Sequence, residues 1–315
     1  MTNGKGRFEW AAALLVAGTA SVSALAAPGS EFRFNAALNG GLRDFQATAL
    51  STVKICGAVG SAARSAAPGS EEAALEALSE KQAGISARFV PIEPGTFIMG
   101  SPVGQGYNNE VLHQVTLTQG YEMQAAPVTQ LQYLFVMGSN PSRFRKESDC
   151  GKEAHETIAG IEACAASPVE DVSWDDAQQF IARLNAVQSD HIYRLPTEAE
   201  WEKAAKADGG EQGGSWIDAH KSPFGTYPVA ALAPNALGLY DMLDDVWEWT
   251  LDFYAEYSKD AVIDPQGPPA GSSRVVRGGC LNYYEGSAHP AYRFPGDPGR
   301  RYNRVGLRLV RVPRN

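Results

Sequence analysis

Residues 193–202 read Tyr193-Arg194-Leu195-Pro196-Thr197-Glu198-Ala199-Glu200-Trp201-Glu202, and this stretch decides the fold. Thr197 is a favourable N-cap residue, and Glu200 follows three residues later, as in a capping box. Trp201 and the pair Ala204 and Ala205 continue an apolar pattern at helical spacing. The stretch therefore predicts a helix that begins after Thr197.

Further short phrases surround this stretch and follow one order along residues 88–311. A single phrase of this kind arises by chance, whereas the whole ordered series does not. The phrases occupy residues 94–100, 127–130, 168–174, 238–242, 246–249, 274–279 and 306–310.

The ordered series resembles the formylglycine-generating enzyme and sulfatase-modifying factor family over residues 88–315. This resemblance implies one α+β domain with a C-type-lectin-like fold and little regular secondary structure. The 32 Gly and 19 Pro residues independently indicate many turns and irregular stretches.

Two more helices and three strands are predicted from the residues themselves. Ser173 can cap a helix over 174–187, with Asp175 and Asp176 in its first turn and apolar residues at helical spacing. A shorter helix is expected over 130–137. Strands are expected at 115–118, 274–277 and 306–311.

The net charge of −9 and the pI near 5.1 exclude nucleic acid as an expected partner, because phosphate binding requires clustered Lys and Arg. Residues 1–26 are typical of a secretory signal peptide, with Lys5 and Arg7 before an apolar stretch and a small-x-small site at Ala24-Leu25-Ala26. The apolar stretch is short and interrupted, so we expect no transmembrane anchor.

We therefore expect an exported, periplasmic protein. Gly29-Ser30-Glu31-Phe32 is also a sequence that a cloning junction leaves, so the leader is either native or vector-derived. Residues 27–87 are rich in Ala, Gly, Ser and Glu and are interpreted as a linker or small helical cap, with a helical candidate at 71–83.

Export permits disulfides, and the chain has four cysteines. Cys150 and Cys164 lie in one insertion and are expected to form a local disulfide. Cys56 and Cys280 either pair with each other or remain free.

The family resemblance implies a calcium site in the acidic phrase at 241–249. The implied ligands are the Asp241 side chain, the carbonyls of Asp244 and Val246, and the Glu248 carboxylate. Oxygen ligands of this kind suit a hard cation. The Gly-Asn pair usual in the family is replaced here by Asp244-Asp245, which changes the loop.

The resemblance also implies that two copper-binding cysteines should follow Gly278-Gly279. Tyr283 and Ala288 occupy the matching positions, so copper chemistry is not expected. Cys280 is a single thiol without a partner cysteine nearby, which is weak support for reactivity.

In the family, the segment after Gly279 lines the ligand cleft. The ligand-binding candidates are Asn282, Tyr283, Tyr284, Tyr292 and Arg293, since Tyr and Arg are common at recognition surfaces. The catalytic candidates are Tyr283, Tyr284, Glu285, His289, Arg293 and Cys280.

Three functions follow from these residues. The first is an exported accessory or maturation factor for a peptide-like or small-molecule ligand, similar to relatives in siderophore (pyoverdine) maturation that also lack the cysteine pair. The second is a non-catalytic, lectin-like binding module, which the fold alone does not distinguish from the first. The third is formylglycine generation on a sulfatase cysteine.

Overall fold

A computed structural model describes residues 31–38, 41–48, 88–187, 190–208, 225–280 and 289–314. An antiparallel hairpin of β1 (Glu31–Leu38) and β2 (Gly41–Thr48) lies in the segment interpreted as a linker or cap, whose composition does not indicate strands. The helical candidate at 71–83 and the signal segment lie outside the described residues. No helix within the described ranges is long and apolar enough to cross a membrane.

The domain that follows is an α+β structure of short elements, as expected. Its helices are α1 (Gln130–Met137), α2 (Glu147–Cys150), α3 (Trp174–Val187) and α4 (Glu198–Ala205), which a 3-10 turn at Lys206–Asp208 extends. Its strands are β3 (Phe89–Ile92), β4 (Gly95–Met99), β5 (His113–Leu117), β6 (Tyr121–Gln124), β7 (His155–Ile158), β8 (Ile161–Cys164), β9 (His191–Arg194), β10 (Trp247–Phe253), β11 (Val262–Ile263), β12 (Arg274–Gly278), β13 (Arg293–Gly296), β14 (Val305–Leu307) and β15 (Val310–Pro313).

The strands form three main sheets, with the orders β13-β12-β10-β14, β11-β5-β4 and β3-β6-β15-β9. The strand expected at 306–311 is instead two strands, because the chain leaves one sheet at Arg308 and joins another. β14 pairs in parallel with β10, whereas β15 pairs antiparallel with β6 and β9. The buried Arg308 side chain occupies this crossing point.

Side-chain caps explain where the three longer helices begin. Thr129 and Gln132 form a capping box on α1, and Thr197 and Glu200 form one on α4. At α3, the Ser173 hydroxyl accepts from the Asp176 amide at 3.0 Å, while the Asp176 carboxylate accepts from the Ser173 amide at 2.9 Å. All three predicted helices are confirmed.

Two apolar clusters fill the domain, and β10 contributes Trp247 and Trp249 to one of them. One contains Phe180 and Trp249, and the other contains Met123 and Trp201; these four side chains are almost completely buried. Trp249 of β10 lies opposite Val276 of β12 in the first cluster, and this packing fixes the β10–β12 pair from which the candidate site projects.

The expected disulfide between Cys150 and Cys164 is present and closes the insertion that holds α2, β7 and β8. The buried Gln130 side chain connects this insertion to α1. Its amide oxygen accepts from the Cys164 amide at 3.0 Å and from Asn140 Nδ2 at 3.0 Å. A buried amide with several partners holds the insertion in one orientation.

Candidate functional site

The candidate site lies where β12 ends and β13 begins. Of the predicted residues, Asn282, Tyr283, Tyr284 and Glu285 lie outside the described residues, whereas Cys280, His289, Tyr292 and Arg293 border that segment. β12 ends at Gly278, whose φ is 100° and where a Cβ would stand 3.2 Å from the Met242 carbonyl oxygen. Glycine is therefore required where the chain enters the site.

Arg293, predicted as a ligand-binding or catalytic residue, is 3% exposed. Its Nε and Nη2 donate to the two carboxylate oxygens of Glu198 at 2.7 and 2.8 Å. Its Nη1 donates to the Ala255 carbonyl at 2.7 Å, and the guanidinium lies 3.8 Å from the centre of the Tyr257 ring. In this arrangement Arg293 anchors β13 to α4 and presents no surface to a ligand.

The carboxylates of α4 divide into two roles. Glu200 closes the helix cap, as the sequence predicts, and pairs with Arg194 at 2.6 Å. Glu198 and Glu202 are four residues apart and lie on one helix face, from which they pair with Arg293 and Arg277. The local sequence does not indicate the buried ion pairs of Glu198 and Glu202, because their arginine partners are distant along the chain.

Glu110 is a site residue that sequence reasoning missed. Its side chain is completely buried, and its Oε2 accepts from His289 Nε2 at 2.8 Å and from Ser101 Oγ at 2.6 Å. Glu110 Oε1 has no hydrogen-bond partner in the part of the chain that the structure describes. Burial acts to raise the pKa of Glu110, but the hydrogen bonds from His289 and Ser101 lower it overall, so the carboxylate is ionised at neutral pH.

Two tyrosine rings lie beside the His289 imidazole. The Tyr107 ring is parallel to the imidazole with centroids 6.4 Å apart, and Tyr292 meets both rings edge-on at 5.1 and 5.9 Å. Tyr292 also contacts Trp247 of the core at 5.2 Å. Tyr107 is 50% exposed, whereas the His289 side chain is 23% exposed. These rings form a partly exposed wall that rests on the core.

The segment 100–112, which contributes Tyr107 and Glu110, is attached to the same ion-pair network. Asn109 Nδ2 donates to the Tyr254 hydroxyl at 2.8 Å and to the Arg293 carbonyl at 3.3 Å. Glu202 accepts from the Gly100 amide at 2.7 Å. The buried pairs therefore hold segment 100–112 beside residues 289–293, although almost two hundred residues separate them in sequence.

Cys280 is a free thiol that is 1% exposed. Burial raises its pKa to about 11, so it carries little thiolate at neutral pH. Cys56 lies outside the described residues. A buried, protonated thiol fits the interpretation of Cys280 as a packed core residue better than that of a nucleophile.

The loop expected to bind calcium is buried and strained. Asp241 and Asp245 have positive φ values of 55° and 63°, a backbone conformation that residues other than glycine adopt less readily. The Glu248 carboxylate accepts from Arg308 Nη2 at 2.8 Å and from Trp201 Nε1 at 2.7 Å. The positive charge of Arg308 is thus already paired with the Glu248 carboxylate. The Asp244 carbonyl accepts a hydrogen bond from the Val246 amide at 2.8 Å.

Nearby carboxylates nevertheless retain oxygen atoms that suit a hard cation. Asp241 Oδ1, Asp245 Oδ2 and Glu170 Oε2 are buried and have no hydrogen-bond partner among the residues that the structure describes. Burial raises the pKa of Asp241 to about 7 and that of Glu170 to about 8, which means that ionised forms need a compensating positive charge. Within the described ranges, no group of three His, Cys, Asp or Glu side chains is arranged as a metal site.

Comparison with known proteins agrees with this architecture. Residues 75–313 match the sulfatase-modifying factor enzyme 1-like domain. The chain is 33% identical to serine/threonine-protein kinase Pkn1 of Chlamydia trachomatis over 241 residues, which is 70% of this chain and 37% of that protein. It is also 33% identical to formylglycine-generating enzyme of Streptomyces coelicolor over 173 residues, 45% of this chain and 52% of the enzyme. The chain thus spans less than two thirds of either relative.

The structure of PvdO from Pseudomonas aeruginosa has the same fold, with a TM-score of 0.57 and 23% identity over 71% of this chain and 93% of PvdO. The domain match covers most of the chain and coincides with the ordered phrases and the short-stranded α+β fold. The chain belongs to the sulfatase-modifying factor family, which includes the formylglycine-generating enzymes.

Proposed function

We propose that this protein is an exported accessory or maturation factor that binds or acts on a peptide-like ligand without copper–cysteine oxidase chemistry. The observation that supports this function best is the aromatic wall of Tyr107, His289 and Tyr292, held beside the segment that corresponds to the family's ligand cleft. Partly exposed tyrosines on a rigid support give large contact areas at low entropic cost.

The residues of the cleft segment argue against the oxidase function. Tyr283 and Ala288 occupy the positions of the two copper-binding cysteines, and neither side chain supplies a thiolate. Cys280, the remaining thiol in the region, is buried, and its pKa is raised to about 11. Copper(I) sites favour soft thiolate or thioether ligands.

A synthetic library of random peptides provides a test of the ligand class. The protein is incubated with the library, and retained peptides are identified by mass spectrometry. We expect the wild type to retain a defined subset and Tyr292→Ala to lose it. Ile192→Ala is the control, because it removes a 41% exposed aliphatic side chain from β9, in a different sheet. Retention of no peptide, or equal retention by Tyr292→Ala, would contradict the proposal.

The same experiment separates a maturation factor from a binding module, the second candidate function. Arg293 is not a suitable position for this test, because it is buried and anchors β13, so that its replacement would disturb the fold. The wild type is therefore compared with a His289 variant. Altered masses among retained peptides, absent in His289→Gln, would indicate an enzyme. Retained peptides of unchanged mass would indicate a binding module.

We also propose that calcium binds at the loop of Asp241, Asp244 and Val246. The buried oxygens of Asp241 and Asp245 that have no partner within the described part of the chain support a cation here, and carboxylate and carbonyl oxygens are suitable donors. Glu248 would contribute indirectly, by holding Arg308 against the Tyr240 carbonyl at 2.7 Å. A bound cation would compensate the buried negative charge and fix the loop.

A further inference from the structure

Arginines are concentrated near the end of a chain whose net charge is −9. Four of those after residue 292 form ion pairs with carboxylates, namely Arg293, Arg301, Arg308 and Arg311. Arg304 differs from these four, because its guanidinium forms no ion pair or hydrogen bond with the residues that the structure describes. The guanidinium contact that the structure shows is with the Phe144 ring, whose centre is 6.0 Å away.

Partial burial distinguishes Arg304 from an ordinary surface arginine. Among the residues whose burial is described, the half-buried arginines are Arg145, Arg194, Arg274, Arg304 and Arg311. The side chains of the other four donate to a carbonyl or a carboxylate oxygen. The Arg304 guanidinium has therefore lost part of its hydration without gaining such an acceptor, and an anionic group would supply one.

Sheet topology places Arg304 at the same end of the sheet as the candidate site. β14 begins at Val305, which pairs with Trp247, the first residue of β10. Trp247 also pairs with Gly278, the last residue of β12. The Arg304 carbonyl accepts from the Trp247 amide at 2.8 Å. Arg304 therefore lies at the end of the sheet where the chain enters the site.

Cys280 gives independent evidence that the guanidinium is near the site. Burial raises the pKa of the Cys280 thiol, and the positive charge of Arg304 opposes part of this rise. Trp247 hydrogen-bonds to the same thiol and contacts the Tyr292 ring at 5.2 Å. Trp247 and Cys280 thus connect the aromatic wall with the part of the site where Arg304 lies.

Phe144 provides Arg304 with a rigid support. The Phe144 amide donates to the buried Glu170 carboxylate at 2.9 Å, and its carbonyl accepts from the buried Gln130 amide group at 2.8 Å. A Cβ at Gly225 would stand 2.6 Å from the ring, so the ring packs closely against the Gly225 backbone. A side chain held against a fixed ring loses less entropy when it binds a ligand.

We propose that Arg304 is a specificity-determining residue that binds a carboxylate of the peptide-like ligand, while the aromatic wall contacts the apolar part of the ligand. The planar guanidinium can donate two parallel hydrogen bonds to a carboxylate, which an ammonium group does not. The ligand class is therefore an acidic peptide-like molecule, with its carboxylate on a side chain or at the chain terminus. This inference rests on the proposed function.

Two forms of the random-peptide library test the preference and its source. One form has amidated termini and includes Asp and Glu, and the other lacks Asp and Glu and is offered with free or amidated termini. We expect the wild type to prefer peptides with a carboxylate by about tenfold, the scale of one charge-assisted hydrogen bond, in at least one form. Arg304→Gln should lose this preference, and Arg304→Lys should keep part of it, because the charge remains and the planar fork does not.

Arg300→Gln is the matched control, because it removes the same charge from a nearby arginine that is exposed and contacts the Tyr302 ring. We expect this variant to keep the preference for carboxylates. Retention of peptides without that preference would overturn the inference and leave the proposed function standing. A preference that persists in Arg304→Gln, or that Arg300→Gln loses equally, would also overturn it.

Phenylglyoxal, which modifies accessible guanidinium groups, gives a measurement that does not depend on the library. Its rate at Arg304 is followed by mass spectrometry with three probes. Acetyl-Tyr-Glu amide has a side-chain carboxylate, acetyl-Tyr-Gln has a terminal one, and acetyl-Tyr-Gln amide has none. We expect at least one charged probe to slow modification of Arg304 severalfold more than the neutral probe and to leave modification of Arg300 unchanged.

The two measurements together separate the inference from the proposed function. Selective protection of Arg304 by a charged probe, with no peptide retained from either library, would refute the proposed function and leave the anion-binding arginine established. Equal protection by all three probes would overturn the inference, whether or not peptides are retained.

Discussion

At the scale of single residues, Arg293–Glu198 and Arg301–Asp176 are bidentate arginine–carboxylate pairs that differ mainly in burial. Both have two hydrogen bonds of 2.7 to 2.9 Å. The Arg293 side chain is 1% exposed and that of Arg301 is 53% exposed. Removing one partner of a buried pair leaves an uncompensated charge, whereas water compensates an exposed one.

We therefore predict that Arg293→Met lowers the free energy of unfolding by about 3–5 kcal/mol, because the buried Glu198 loses its bidentate partner and keeps only the longer 3.8 Å contact with Arg277. Arg301→Met, the matched control, should cost about 0–1 kcal/mol. Urea denaturation of both variants measures the difference. Equal effects would show that Arg293 does not anchor β13.

Asp252 leads to a prediction about pH. Burial, reinforced by Glu198, raises the pKa of Asp252 from 3.8 to about 8. Between pH 3.8 and about pH 8, the folded state therefore binds a proton that the unfolded state has lost. Within these limits, Asp252 makes the protein less stable as the pH rises. Asp252→Asn should stabilise the protein by a margin that grows by about 1 kcal/mol or more from about pH 5 to about pH 8.

Asp176→Asn is the control of opposite sign. Burial opposes the shift, but the hydrogen bonds from Arg301 and Ser173 lower the pKa of Asp176, so its stabilising contribution is already complete above its unfolded pKa. Its loss should therefore be the same at both pH values. Thermal unfolding across this range, with no pH-dependent gain in Asp252→Asn, would contradict the assignment.

At the scale of elements, the spacing of Cys150 and Cys164 in the sequence predicts how much their disulfide stabilises the fold. The two cysteines are 14 residues apart. Closing a loop of this size stabilises the fold by about 3 kcal/mol in the chain-entropy model. Replacing both cysteines with alanine should lower the free energy of unfolding by this amount, as measured by urea denaturation. A reducing agent should have the same effect on the wild type and none on the double variant.

The elements also show where prediction from sequence succeeds and fails. α1, α3 and α4 were predictable because their caps and apolar spacing are local signals. The division of 306–311 into β14 and β15 was not, because it depends on pairing with β10, β6 and β9, which are distant in sequence. The site follows the same rule. His289 and Tyr292 were predicted, but Glu110 was missed because its contact with His289 spans 179 residues.

Arg293 illustrates a second limit. Its residue type suits ligand binding, and the structure instead places it against Glu198. Residue type alone does not distinguish an arginine that binds a ligand at the surface from one inside an ion-pair network, because in both places the guanidinium group pairs with carboxylates or similar anions. The helix that carries Glu198 was predicted. Which strand its Glu198 side faces depends on the tertiary fold and could not be predicted from the local sequence.

At the scale of the whole molecule, the calcium site proposed at the buried acids near Asp241 would link stability to calcium. We predict that calcium at about 100 times its dissociation constant stabilises the folded protein by about 2.7 kcal/mol, which corresponds to a rise of several degrees in the unfolding temperature. Asp241→Asn should lose this response. In chelator, the variant should be at least as stable as the wild type, because burial raises the pKa of Asp241 to about 7. A wild-type unfolding temperature that is identical in calcium and in chelator would contradict the site.

The central claim is that a domain of this family works on a peptide-like ligand without copper–cysteine oxidation. The most direct measurement is the mass of a Cys-x-Pro-x-Arg peptide after incubation with the copper-treated protein and oxygen, with formylglycine-generating enzyme of Streptomyces coelicolor as the positive control. Since Tyr283 and Ala288 replace the cysteine pair, we predict that the peptide keeps its mass and forms no aldehyde. Conversion of the peptide cysteine to formylglycine by this protein would contradict the account.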